Sequence, residues 1–188
     1  MPVQESTSTV RALKGTYVLD PSHSSLAFVA RHAMVTKVRG TFGSFTGEAV
    51  VDGANPDAST LRVVVDVSSV TTNAPDRDAH LRSPDFFDVA QYPQLTFVGT
   101  GFEVVDDSTV VVTGDLTIKS VTRPVSIPFE YTGQAKDPFG NVRVGFEGRV
   151  EVSRKEFGLT WNAALETGGV LVSDKVVLEF DVSAIEQN

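Results

Sequence analysis

Residues 109–133 read TVVVTGDLTIKSVTRPVSIPFEYTG. Val110, Val112, Leu116 and Ile118 share one parity, and Val125, Ile127, Phe129 and Tyr131 share another, while Thr113, Asp115, Thr117, Ser126 and Glu130 fill the positions between. A period of two with one apolar side belongs to a strand that buries one face. The intervening KSVTRP, residues 119–124, carries turn residues. The stretch therefore predicts two antiparallel strands joined by a short connection, each wet on one face.

The same alternation extends in both directions. Downstream it runs through Val142, Val144, Phe146, Val150 and Val152, then Val176, Leu178, Phe180 and Val182; upstream it runs through Leu26, Phe28 and Ala30, Phe45, Ala49 and Val51, Leu61, Val63, Val65 and Val67, and Leu95 and Phe97. At least eight strands follow, with turn-rich joints at residues 53–59, 105–108 and 136–141. Strands of about ten residues span roughly 33 Å, and an open sheet of them would leave two long edges free to pair with other chains. Closing the sheet removes the edges. The expectation is an all-β chain forming an elongated closed antiparallel barrel of about eight strands; a two-sheet sandwich gives the same alternation. Helix is scarce. One short helix is expected around Ala79, His80 and Leu81, after Pro75 and before Pro84, capped by Asn73 or Asp76, with Asp78 and Arg82 pairing at i and i+4 on its exposed face.

Composition limits function. A chain of 188 residues, 41% hydrophobic and without a shift in composition, supports one core, read as a single domain over residues 16–188 behind a flexible polar arm, residues 1–15. The absence of cysteine excludes a disulfide scaffold, a thiolate metal site and a cysteine nucleophile. A net charge of −8 repels nucleic acid and anionic membrane surfaces, so no nucleic-acid partner and at most transient membrane contact are expected. An uncovered edge or apolar patch would support a homodimer. Without a leader in the sequence as written, the expected location is cytoplasmic, and periplasmic or secreted only if a leader was removed.

No constellation of catalytic residues stands out. His23, His32 and His80 match no metal-ligand spacing, and no nucleophile elbow, phosphate loop or dinucleotide fingerprint occurs. Ser22 and Ser24 flank His23, but neighbours in an extended chain point apart. The alternative to a binding module is an enzyme acting on a hydrophobic substrate through Asp76, Asp78 and His80. Trp161 reads as a channel-mouth indole or as a plug, residues 154–156 as a solvated bend, and residues 166–176, with paired glycines, as a mobile loop and candidate gate. Twelve phenylalanines against three tyrosines and one tryptophan form an aromatic set with few polar handles. Such a set suits the dry wall of a hollow barrel, but pattern alone favours a filled core, since interiors usually pack densely.

Five blocks carry a resemblance: YVLDPSHSSLAFVARH (17–32), VRGTFGSFTG (38–47), RDAHLRSPDFFDVAQYPQLTF (77–97), GDLTIKSVTRPV (114–125) and SRKEFGLTWN (153–162). In this order they resemble the successive motifs of the YceI-like, polyisoprenoid-binding family, with Ser120 standing where that family often has glycine. The resemblance implies a lipocalin-like barrel that holds a long isoprenoid, a polyprenyl quinone or its precursor, in an elongated channel, with no catalysis, no metal and no cofactor besides the lipid. The channel is then expected to be lined by Phe28, Phe42, Phe45, Val65, Phe86, Phe87, Phe97, Leu116, Ile127, Phe129, Phe146, Leu178 and Phe180. Candidates for the head-group end are His32, Arg77, His80, Arg123, Trp161 and Asn162. The remaining reading is a filled structural barrel with a stress-related role.

Overall fold

The computed structural model describes residues 9–166 and 169–188. In chain order the strands are β1 (Lys14–Leu19), β2 (Ser25–His32), β3 (Thr36–Phe42), β4 (Phe45–Asp52), β5 (Thr60–Asp66), β6 (Val70–Thr71), β7 (Gln94–Val104), β8 (Thr109–Ile118), β9 (Val121–Lys136), β10 (Val142–Ser153) and β11 (Lys175–Gln187). One α-helix, α1 (Pro75–Arg82), and several 3-10 turns complete the described residues.

Strands β1, β4, β5, β7, β8, β9, β10 and β11 form a closed antiparallel ring, sealed by pairing of β1 with β11. This is the expected eight-stranded barrel with one helix. Its long last strand serves two neighbours on one side: residues 177–181 pair with β2, and residues 184–187 pair with β1. The 3-10 turn Pro21–His23 separates β1 from β2. Strands β2, β3 and β6 thereby extend the wall at one end only, the mouth.

Residues 109–133 behave as their parity requires. Along β8 every second residue is buried, from Val110 to Ile118, and β8 pairs with β9 from Val110↔Phe129 to Ile118↔Val121. The joint is tighter than the expected 119–124, because the ladder continues until only Lys119 and Ser120 lie outside it, with Lys119 at φ 57°.

The end away from the mouth is filled. Val10, Leu13, Tyr17, Val110, Val112, Tyr131 and Val144 pack into one cluster, with Val10 and Leu13 each 3% exposed. The Val10 N–H donates to the Asp107 carbonyl at 2.9 Å, and the Gly53 N–H to the Leu13 carbonyl at 2.7 Å. A Cβ on Gly53 would lie 2.0 Å from the Val10 carbonyl oxygen, so only glycine admits this close approach. Of the flexible arm expected over residues 1–15, residues 1–8 lie outside the described residues, while Val10 and Leu13 are core and Arg11, Ala12 and Lys14 stay exposed. Burying one Val and one Leu contributes about 1.5–3 kcal/mol each, enough to hold the segment.

Arg143 pins the same end. Its guanidinium donates to Asp20 at 2.6 Å and to Asp137 at 2.8 Å, joining the turn before β2 to the β9–β10 turn. Hydrogen bonds from Ser22, Arg143 and His23 hold the Asp20 carboxyl well below the usual carboxylate range. Burial alone would raise Asp137, but Arg143 and the Asn141 and Phe139 N–H groups outweigh it and hold Asp137 at about 2. A depressed carboxylate stabilises the fold fully above its unfolded value, near ~4, and loses that contribution as pH falls through the folded value. Stability is therefore expected to fall between about pH 4 and pH 2. In Arg143→Ala that acid limb should be shallower in thermal melts recorded across this range; superimposable limbs would contradict the assignment. Ser22 and His23 do not sit in extended chain as expected: the 3-10 turn lets both side chains converge on Asp20, with His23 Nδ1 2.7 Å from its carboxylate.

Helix α1 departs from its expected caps. Its N-cap is Ala74, with no side-chain cap bond, and Asn73 is instead left-handed at φ 60°. Asp78 is buried and accepts from the Thr72 N–H (2.8 Å), the Thr72 hydroxyl (2.5 Å) and the Thr71 hydroxyl (3.3 Å). The expected Asp78–Arg82 pair makes no direct salt bridge, because Thr71 and Thr72 supply the donors to Asp78, and Arg82 acts on it only through its charge. Arg82 donates instead to the Ser68 and Val70 carbonyls, each at 3.0 Å.

Candidate functional site at the barrel mouth

Four parts of the described chain surround the mouth: the tip joining β2 to β3, helix α1, residues 83–93 after it, and residues 154–166 with 169–173. Arg154 holds the last of these. It is 6% exposed, and its guanidinium donates to the carbonyls of Ser173 (2.8 Å), Leu159 (2.6 Å), Trp161 (2.9 Å) and Val172 (3.2 Å). Burial lowers its pKa, partly opposed by the charge of Asp174. The solvated bend expected at 154–156 is corrected at Arg154: its fork of donors satisfies carbonyls that would otherwise be buried unpaired. Asn162 clips the same loop, donating to the Val172 carbonyl at 2.8 Å and accepting its N–H at 3.0 Å.

The gate expected at 166–176 is also tied down over most of its length. Thr167 and Gly168 lie outside the described residues. Beyond them, Leu171 N–H bonds to Ala163, the Leu171 carbonyl receives Ala33 N–H, and Ser173 N–H bonds to Arg31.

Inside this frame lies a cavity of about 450 Å³, open on one side. Phe28, Ala30, Val38, Leu81, Phe86, Trp161, Leu171 and Val172 line it, and Arg31, His32, Thr72, Asp76, Arg77 and His80 add polar groups. Its size is that of a small-molecule site. The wall is shaped by a glycine: Phe28 pairs across the ladder with Gly40, where a Cβ would lie 2.1 Å from the ring. The ring lies flat on the strand and leaves the lumen open beside it. Gly148 receives the Phe129 ring in the same way, 2.5 Å from a would-be Cβ.

An aromatic cluster closes one side of the cavity. His80 stands edge-on to Trp161 (4.6 Å) and to Phe86 (5.0 Å), and Phe86 lies 5.4 Å from Trp161. His80 Nε2 is 2.9 Å from the Asp85 carboxylate, which orients the ring. Arg77 is held by Thr72, donating to its hydroxyl at 2.7 Å and its carbonyl at 2.9 Å. Since Thr72 also donates to the buried Asp78, one short network fixes Arg77 at the rim.

The expected residues sort by position. His32, Arg77, His80 and Trp161 line the cavity; Arg123 does not, its Nε donating to the Glu156 carbonyl outside, and Asn162 clips the loop. Of the expected channel residues, Phe28 and Phe86 face the cavity. Phe42, Phe45, Val65, Phe87, Phe97, Leu116, Ile127, Phe129, Phe146, Leu178 and Phe180 stand in the packed clusters behind it. This cavity thus lies at the mouth, and side chains from facing strands meet behind it. Asp76 and His80 both line the cavity, but Asp78 does not join them, enclosed as it is by Thr71 and Thr72, and His80 is bonded to Asp85. No group of three metal-ligating side chains occurs among the described residues. A larger groove, about 650 Å³, lies on the outer face among Arg39, Glu130, Glu147, Arg149, Glu179 and Asp181. Its charged lining suits water rather than lipid, and Arg39 pairs there with Glu179.

Comparison with known proteins agrees with this fold. The YceI-like domain matches residues 17–184. The chain belongs to the YceI-like family. A UPF0312 protein of Ectopseudomonas mendocina (strain ymp) is 38% identical over 152 residues, 80% of each chain. Among solved structures, BcnA of Burkholderia cenocepacia has a TM-score of 0.77 at 24% identity, covering 88% of this chain and 98% of its own. A polyisoprenoid binding domain from Saccharophagus degradans, implicated in plant cell wall breakdown, has a TM-score of 0.69 at 16% identity, covering 93% and 100%. At these identities the two structures establish the YceI-like fold, a lipocalin-like closed barrel. No helix among the described residues is long and apolar enough to cross a membrane.

Proposed function

We propose that this YceI-like barrel is a binding module for an isoprenoid lipid, a polyprenyl quinone or its precursor, which it carries or sequesters without transforming it. The observation behind this reading is the mouth cavity, apolar within and ringed by Arg31, His32, Arg77 and His80. The polyisoprenoid-binding relative of the same fold supports it.

Size refines the proposal. At about 30 Å³ for each water-sized group, the cavity of about 450 Å³ holds roughly fifteen such groups, or three five-carbon units. A longer chain reaches deeper by displacing the tilted rings behind the cavity, Phe42 against Phe87 and Phe129 against Phe180. A bilayer is as apolar as this cavity, so burial of the chain discriminates little between the two. Selection then rests on the head group, and the basic rim would receive the oxygen atoms of a quinone ring or its precursor.

Trp161, the chain's single tryptophan, reports on occupancy directly. A polyprenyl quinone added from dilute micelles is expected to change its fluorescence saturably, at one lipid per chain. A change that grows linearly without saturation, or no change, would defeat the proposal.

A further inference from the structure

The cavity opens beside an exposed apolar tip. Between β2 and β3 the chain turns through Ala33 (φ 51°) and Met34 (φ 64°), with the Val35 N–H donating to the His32 carbonyl at 3.1 Å. Left-handed backbone is unfavourable for both residue types, and a β-branched residue follows directly. The turn leaves Met34 60% and Val35 77% exposed, and Val170 of the facing loop 38% exposed. Gly169 brings that loop close, since a Cβ there would lie 3.5 Å from the Met34 sulfur. Three apolar side chains thus gather at one spot, which soluble surfaces generally avoid.

Charge selects the partner. The overall charge is −8, yet the tip is flanked on its own hairpin by Arg31 and Lys37, both exposed, with Glu166 on the facing loop and Asp76 in the cavity lining as acidic neighbours. At the opposite barrel end Val105 and Phe139 are exposed too, but beside Asp106, Asp107 and Asp137, the last two already paired with Arg11 and Arg143. Apolar groups flanked by cations suit the interface of an anionic bilayer, where aliphatic side chains enter the headgroup region and Lys and Arg meet phosphates. Arg31, His32 and Leu171 lie in or beside the tip and also line the cavity.

We infer that the Met34–Val35 tip, with Val170, Arg31 and Lys37, docks the barrel mouth onto an anionic lipid surface, so that a lipid passes between bilayer and cavity without crossing water. This rests on the lipid-carrier reading for its purpose and on the tip for its geometry. It also locates the transient membrane contact that the net charge alone disfavours.

Flotation of the purified full chain with phosphatidylglycerol–phosphatidylcholine vesicles tests the inference. The wild type is expected to float at low salt and to release as salt rises. Met34→Asn with Val35→Ser removes the apolar tip and eases the left-handed turn, since Asn tolerates that conformation; vesicle partitioning is expected to fall about tenfold or more. Arg31→Gln with Lys37→Gln should weaken binding and flatten its salt dependence, whereas Phe139→Ser, at the other end, should bind as wild type. Failure of the wild type to float, equal flotation of the tip variant, or equal loss in Phe139→Ser would overturn the docking assignment. Lipid content is measured on the wild type and on the Met34→Asn, Val35→Ser variant, since Arg31 also lines the cavity. Vesicle binding lost with lipid retained supports the inference, and loss of both shows the tip serving the cavity instead and overturns it. Normal docking by a wild type that holds no lipid would count against the carrier reading alone.

Discussion

Arg154→Ala is expected to unfasten the mouth. The carbonyls of Leu159, Trp161 and Ser173 lose their guanidinium donor together, and that of Val172 keeps only the Asn162 amide. Leaving buried polar groups unpaired costs about 3–5 kcal/mol in such settings, a melting shift on the order of 10 °C for a chain of this size. Arg154→Lys should fare little better, because a single ammonium cannot reproduce a planar fork aimed at several acceptors. Thermal melting and amide hydrogen exchange read the two consequences separately. Exchange should accelerate in residues 159–173 while β8 and β9 keep their protection. A lysine variant with wild-type melting and wild-type exchange would show that the four bonds do not hold the loop.

The second large effect is functional. Ala30 lines the cavity from β2, opposite Val38 in the ladder. Ala30→Phe places a ring where the lipid's first units would lie. Excluding one five-carbon unit removes about 4 kcal/mol at ~0.8 per methylene, roughly a thousandfold in affinity measured against water. The fold should survive, since the ring enters empty space rather than a packed layer. Lipid retained by Ala30→Phe at the wild-type level would place the ligand elsewhere, whatever the variant's stability.

These two expectations differ in how far the sequence foretold them. The barrel was legible because β8, β9, β10 and β11 each keep one face wet, so the alternation survives in the residue types. Strand β3 escaped notice since its most buried residue is Gly40, whose place in the interior is taken by the Phe28 ring from the neighbouring strand. Strand β1 is short, with Tyr17 alone fully buried along it, and it closes the ring in the place expected for β2. Of the site, the block at 77–97 announced itself: charges, then paired phenylalanines, then proline. His80, Arg77 and Phe86 do stand at the mouth. Arg154 gave no warning. An Arg-Lys-Glu run is ordinarily solvated, and the carbonyls that need this guanidinium lie on a loop whose path depends on the whole mouth. Asn162 and Arg123 were drawn to the head group by their chemistry, whereas the loop and a neighbouring turn claim them first. Asp78 followed the same logic, its i+4 partner losing to the donors of Thr72 just after β6.

How deep the cavity reaches depends on rings that pattern cannot fix, since phenylalanine packs a core and lines a channel equally well. The contents of the barrel decide the matter. The protein is purified without detergent, extracted with organic solvent and analysed by mass spectrometry, with Ala30→Phe treated in parallel. The account predicts a prenyl lipid at close to one per wild-type chain and its near-complete loss from the variant. A wild-type barrel that yields no prenyl lipid, and takes none up when a polyprenyl quinone is supplied, would contradict it.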